Sequence, residues 1–116
     1  MAVYAALRMG LDLAPGKEFS KEVQRNFLSM VHPTMHSGHF TMVAAFGRTS
    51  FKLTEDSAVV ALESITGGRC DALKVSSLRD RVFGFTVANK KVGFLLTKRK
   101  KFVSPKFICY FYLWNY

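Results

Sequence analysis

Three histidines, His32, His36 and His39, fall in one short polar segment of this 116-residue chain, at H-x3-H and H-x2-H spacing. Imidazoles so placed can hold a metal, but a zinc set needs further ligands, and only the distant Cys70 and Cys109 could supply them. Histidines in a turn with Pro33 and Gly38 read more simply as a solvated linker, so no metal site is expected. The carboxylates are scattered, mostly at expected helix starts and turns, and no nucleophile motif accompanies the histidines. Gly67-Gly68 lacks the Lys-Ser/Thr that a phosphate-binding loop requires. Cys109 sits inside an apolar strand pattern and reads as a small core residue. The expectation is a protein that is not an enzyme and carries no cofactor.

Positive charge is the residue chemistry that remains. The formal net charge is +9, yet residues 1–66 hold six basic and six acidic side chains. The whole excess belongs to the part from Gly67 onward, where eleven cations meet only Asp71 and Asp80. Its densest run is Lys98-Arg99-Lys100-Lys101, with Lys90, Lys91 and Lys106 flanking. Four adjacent cations repel one another and are expected in solvent, where they suit phosphate contacts, a nuclear-import signal or simply a solvated helix end. A one-sided basic surface is the electrostatic footprint of a polyanion partner.

The second constellation is Asp80-Arg81-Val82-Phe83-Gly84-Phe85-Thr86-Val87. Arg81, Phe83, Gly84 and Phe85 fit an RNA-recognition signature in register, whereas Val82, Thr86 and Ala88 depart from it. Phe83 and Phe85 are the candidate base-stacking residues and Arg81 the charged start. Strand parity opposes this: Phe83, Phe85 and Val87 share one face, and the larger apolar set is normally the core set. Core is the favoured reading of the two phenylalanines.

The elements that position these residues follow from periodicity. Residues 1–13 read as a short helix stopped by Ala14-Pro15-Gly16, and Phe19–Val31 as a longer one capped by Ser20 and ended at His32-Pro33. From Phe40 the apolar period becomes two, giving a strand to about Phe46 that Ser50–Leu53 extends. Thr54 caps a helix whose stripe is Ala58, Val59, Leu62 and Ile65, with Glu63 facing water and Gly67-Gly68 as the exit. A strand over Asp71–Leu78, the Asp80–Val87 strand, a helix from Lys90 to about Lys98 capped by Asn89, and a strand over Phe107–Trp114 complete the order.

That order predicts an α+β fold: a ferredoxin-like, RRM-like βαββαβ unit over residues 40–116, with a four-stranded antiparallel sheet and two helices on one face. Residues 1–39 form an N-terminal helical extension and linker, packed on a sheet edge or on the open face. Apolar residues make up 49% and charged residues 22%, a globular composition. No apolar run reaches the ~20 residues of a membrane span, and Arg8 and Asp12 interrupt the N-terminal stretch, so neither a membrane partner nor a secretory leader is expected. The expected location is nuclear or cytoplasmic.

Across Phe40–Trp114 the chain resembles an uncharacterised RRM-like domain of plant, especially grass, retroelement-derived proteins. The resemblance rests on Phe46-Gly47-Arg48, Phe51-Lys52-Leu53, Ser57-Ala58-Val59 and Gly67-Gly68. It continues through Asp80-Arg81-Val82-Phe83-x-Phe85, Val92-Gly93-Phe94 and Tyr112-Leu113-Trp114. It implies nucleic-acid binding, often beside a C-x2-C-x4-H-x4-C zinc knuckle. This sequence contains no such knuckle, and the expectation is a free-standing or truncated copy that binds no zinc.

The expected function is therefore a non-catalytic module for single-stranded RNA or DNA. The candidate contacts are Lys90, Lys91, Lys98, Arg99, Lys100, Lys101, Lys106 and Arg81, with Phe83 and Phe85 as candidate stacking residues. Two alternatives stand beside it: a protein-interaction or homodimerisation domain, and a retroelement-derived relic without activity.

Overall fold

The computed structural model describes residues 6, 8–69 and 71–114. Its elements are α1 (Ala14–Phe27), β1 (Phe40–Thr49), α2 (Glu55–Thr66), β2 (Ser76–Arg79), β3 (Val82–Val87), α3 (Lys90–Arg99), β4 (Lys101–Val103) and β5 (Phe107–Leu113). The strands form one five-stranded antiparallel sheet in the order β2-β3-β1-β5-β4. Without β4 the order is compatible with the expected four-stranded βαββαβ arrangement. The fifth strand corrects that expectation.

Its origin is local. Helix α3 stops at Arg99, and Lys100 takes a positive φ of 66°, which turns the chain back toward the sheet. Lys101, Phe102 and Val103 then pair with Tyr110, Cys109 and Ile108. The four-cation run is thus a junction between helix and edge strand, and only its first half is helical.

Strand alternation places one row of each strand under the helices. Met42, Ala44 and Phe46 of β1, Phe83, Phe85 and Val87 of β3, and Phe107, Cys109 and Phe111 of β5 are buried there. They meet Ala58, Ala61, Leu62 and Ile65 of α2 and Val92 and Leu96 of α3 in one hydrophobic cluster. Thr54 caps α2 in a reciprocal capping box with Ser57, and Asn89 accepts from the Val92 N–H to cap α3. Gly67 ends α2 with φ 75°.

The N-terminal region departs most from expectation. Residues 1–5 and 7 of the expected first helix lie outside the described residues, and Ala14-Pro15-Gly16 begins α1 instead of ending a helix. Proline fits the first helical turn because its missing N–H has no partner there. Ser20 is therefore interior, and the helix closes at Leu28 in the left-handed region (φ 52°), four residues before His32. Helix α1 packs mainly on α2, in the helix layer and not on the open face. Gly16 allows the approach: a Cβ there would lie 2.7 Å from Ser64 O and 2.9 Å from Gly67 N.

Strand β2 is shorter than the expected Asp71–Leu78, because Lys74 adopts φ 51° and breaks the extended run. All four of its residues are exposed. The Ser77 N–H donates to Glu55 Oε2 at 2.9 Å. Glu63, expected in water, is half-buried, and its Oε1 has no hydrogen-bond partner.

Candidate nucleic-acid interface

The sheet face away from the helices carries no described element on it. Register defines what it presents. Lys101 of β4 lies opposite Tyr110, Tyr110 opposite Ala45, Ala45 opposite Val82, and Val82 opposite Arg79. One row of side chains thus crosses all five strands, with cations at both edges and a tyrosine between them. The neighbouring row runs Tyr112, Val43, Gly84 and Ser76.

Between these rows lies a groove of about 550 Å³, a size within the range of ordinary small-ligand sites. Val43, Ala45 and Val82 form its floor, Leu78 and Tyr112 its sides, and Arg79 stands at its rim. Gly84 keeps the floor low beside Leu78, whose Cδ1 would lie 3.5 Å from a Cβ at that position. Tyr112 is 53% exposed and Leu78 42%, so large apolar surface faces solvent here. Trp114 also borders the groove.

Phe83 and Phe85 are on the other side. They are 4% and 1% exposed and pack edge-on against Phe46 and Phe111. Burial withdraws them from base stacking; the face they share with Val87 is the core face. The aromatics that do stand on the open face are Tyr110 and Tyr112 of β5. Parity in Phe107–Trp114 already separated them from Phe107, Cys109 and Phe111, and that was the signal available for finding them.

Arg81 also leaves the candidate contact surface. It sits in the β2–β3 turn with φ 62°, and its side chain is half-buried. Its Nε donates to Phe46 O at 3.2 Å, and its Nη2 donates to Gly47 O and to Thr49 Oγ1. These bonds tie the turn to the end of β1, where the pairing with β5 shifts register between Phe46 and Thr49. A guanidinium committed to carbonyl oxygens has little left to offer a phosphate.

The other cations do not form one patch. Lys98, Lys100 and Lys101 gather where α3 runs into β4, exposed to solvent. Lys101 also borders a cleft by Phe19 and Leu96, so it stands at an edge shared by the sheet and the helix layer. Arg99, between them, is already engaged: its Nη2 pairs with Glu22 Oε1, and its guanidinium lies 5.1 Å from the Phe19 ring centre. Lys90 and Lys91 are at the opposite end of α3, roughly 12 Å away at 1.5 Å per residue. Lys106 lies in the β4–β5 turn, its side chain beside Gly10.

The histidine segment has a structural role at one end. His32 is buried, and its Nδ1 accepts the Arg69 N–H at 3.1 Å. Burial first, and then the Arg69 charge, holds its pKa below the usual histidine value. Arg69 also pairs with Asp71 at 2.8 Å and lowers that carboxyl's pKa through their hydrogen bond. His36 and His39 are exposed. No group of His, Cys, Asp and Glu among the described residues is arranged to hold a metal ion, and Cys70 lies outside them. Burial pushes the Cys109 thiol far up, which keeps it protonated and unreactive. No described helix is long and apolar enough to cross a membrane.

Comparison with protein families, with curated proteins and with solved structures finds no match to this chain.

Proposed function

We propose that this chain is a non-catalytic module that binds single-stranded nucleic acid, built on a ferredoxin-like, RRM-like βαββαβ plan with one added edge strand. The observation that carries the reading is the row Lys101–Tyr110–Ala45–Val82–Arg79 across an uncovered sheet face. Aromatic rings on a sheet surface stack unpaired bases whatever their identity, and cations at the edges meet the phosphates that flank them. The +9 net charge supplies long-range attraction for the same partner. Resemblance to the plant retroelement-derived domains points to the same class of partner and adds a retroelement origin to the proposal.

A second copy of the chain is the rival occupant, because the face is apolar enough to associate. Charge disfavours it, since it would add an equal set of cations to a surface that already carries them.

A salt series with a fluorescent oligothymidylate tests the function. Log affinity is expected to fall linearly with log salt. Replacing Lys98, Lys100 and Lys101 by Ala is expected to flatten the slope by about 2, at ~0.7 per lost phosphate contact on a single strand. Absence of binding at low salt overturns the proposal, and sedimentation of the free protein as a dimer assigns the face to a second copy.

A further inference from the structure

The groove on the open face has a shape and a rim that the phosphate-binding cations alone do not explain. It is walled on one side by Tyr112 and on the other by Leu78, which lies at the register shift between Ser77 and Arg79. The floor residues Val43, Ala45 and Val82 bring no charge and no hydroxyl to it. An uncharged slot between a phenol ring and a leucine suits a flat, weakly polar ring with two apolar faces. Arg79 at the rim, five donors on a planar fork, suits an anionic group attached to that ring. A planar heterocycle bearing phosphate is a nucleotide.

We propose that the groove is a base-accepting subsite: it takes one unstacked base of a bound strand against Tyr112, with its phosphate on Arg79. The inference rests on the proposed nucleic-acid-binding function. It assigns the base contact to β5 and β2, and leaves the aromatics of β3 in the core. Lys98, Lys100 and Lys101 then hold the backbone beyond the groove without reading whether a base is present. Charge complementarity decides the occupant, because Arg79 would be left facing apolar surface if an uncharged partner filled the slot.

Two probes of equal phosphate count separate base from backbone: an oligothymidylate and an abasic strand of the same length. The wild-type chain is expected to bind the first about 5- to 150-fold more tightly, the range for one stacked base. Trp114, the single tryptophan of the chain and a neighbour of the groove, should change its fluorescence with the oligothymidylate and not with the abasic strand. Ala45→Leu fills the floor with no change in charge and should abolish the difference between the two probes. Tyr112→Leu, a second variant that keeps an apolar side chain, should reduce the preference in the same way. Circular dichroism of both variants checks that the sheet is retained.

Equal binding of the two probes by the wild-type chain overturns the subsite and leaves the electrostatic function standing. Binding of neither overturns both. A preference that survives in folded Ala45→Leu and Tyr112→Leu proteins places the base elsewhere and also overturns the subsite.

Discussion

Replacing Phe85 by Ala removes a ring that is 1% exposed and stands edge-on to Phe111, with centroids 6.3 Å apart. Truncating a buried phenylalanine costs about 3–5 kcal/mol through lost transfer energy and the cavity left behind. For a domain of this size the whole stability is about 5–15 kcal/mol, so the variant gives up a large part of its margin. Tyr112→Ala acts on the opposite face, where the side chain is half in solvent, and strand preference limits its cost to ~1 kcal/mol. The order reverses for binding. Loss of a stacking ring costs about 1–3 kcal/mol of affinity, roughly a 5- to 150-fold weakening, and it should appear in Tyr112→Ala alone. Urea unfolding followed by circular dichroism gives the first quantity, with equal slopes required for the comparison to hold. Anisotropy of a labelled oligothymidylate, corrected for the folded fraction, gives the second. A Phe85→Ala protein of undiminished stability and weakened binding would refute the assignment of faces, and the stacking signature in Asp80–Val87 would regain its functional meaning.

Acidification should destabilise the fold through His32. Its folded pKa is depressed below 6.5, so as pH falls through about 6.5 the unfolded chain gains a proton that the native state refuses. Stability is then full above that pH and declines below it, and thermal midpoints at pH 5 and pH 7.5 should differ by more in the wild type than in His32→Gln. The groups that act on this imidazole are Arg69, Asp71 and Glu63, so Asp71→Asn is the control for the charge effect. Gly16→Ala should cost about 1–3 kcal/mol, because the added methyl would press on backbone atoms of Ser64, Glu63 and Gly67 that cannot rotate away. Thermal denaturation against Lys17→Ala, an exposed neighbour, checks it; equal midpoints would mean that the two helices are not held this closely.

Local chemistry is most legible in the sequence where a residue type has one dominant use. Thr54 and Asn89 accept from backbone N–H groups as helix caps, Gly67 turns left-handed, and the period-two runs of β1, β3 and β5 are strands. Pro15 was ambiguous because proline both stops helices and suits their first turn, and only packing of α1 on α2 selects the second use. The polar pair Arg79-Asp80 marks the turn that Arg81 completes, but positive φ at Leu28, Lys74 and Lys100 leaves no such mark in the sequence. Strand β4 was hidden for that reason, being reached only through Lys100. The candidate site was half legible. Charge counting located Lys98, Lys100 and Lys101, and parity could have isolated Tyr110 and Tyr112. Arg79 and Leu78 required the register of an edge strand, which depends on contacts distant in sequence.

The Glu55 carboxylate on the Ser77 N–H has a consequence for concentrated solutions. Strand β2 is a border of the sheet, and an unsatisfied border donor recruits any extended peptide that drifts past. Glu55, fixed at the first turn of α2 by the Thr54 capping box, occupies that donor from within the same molecule. One donor of this border is thus occupied by an internal acid, which disfavours edge-to-edge pairing there, while the broad surface of the sheet stays accessible. Exchanging Glu55 for a side chain too short to reach would leave the protein folded and turn its margin into a template.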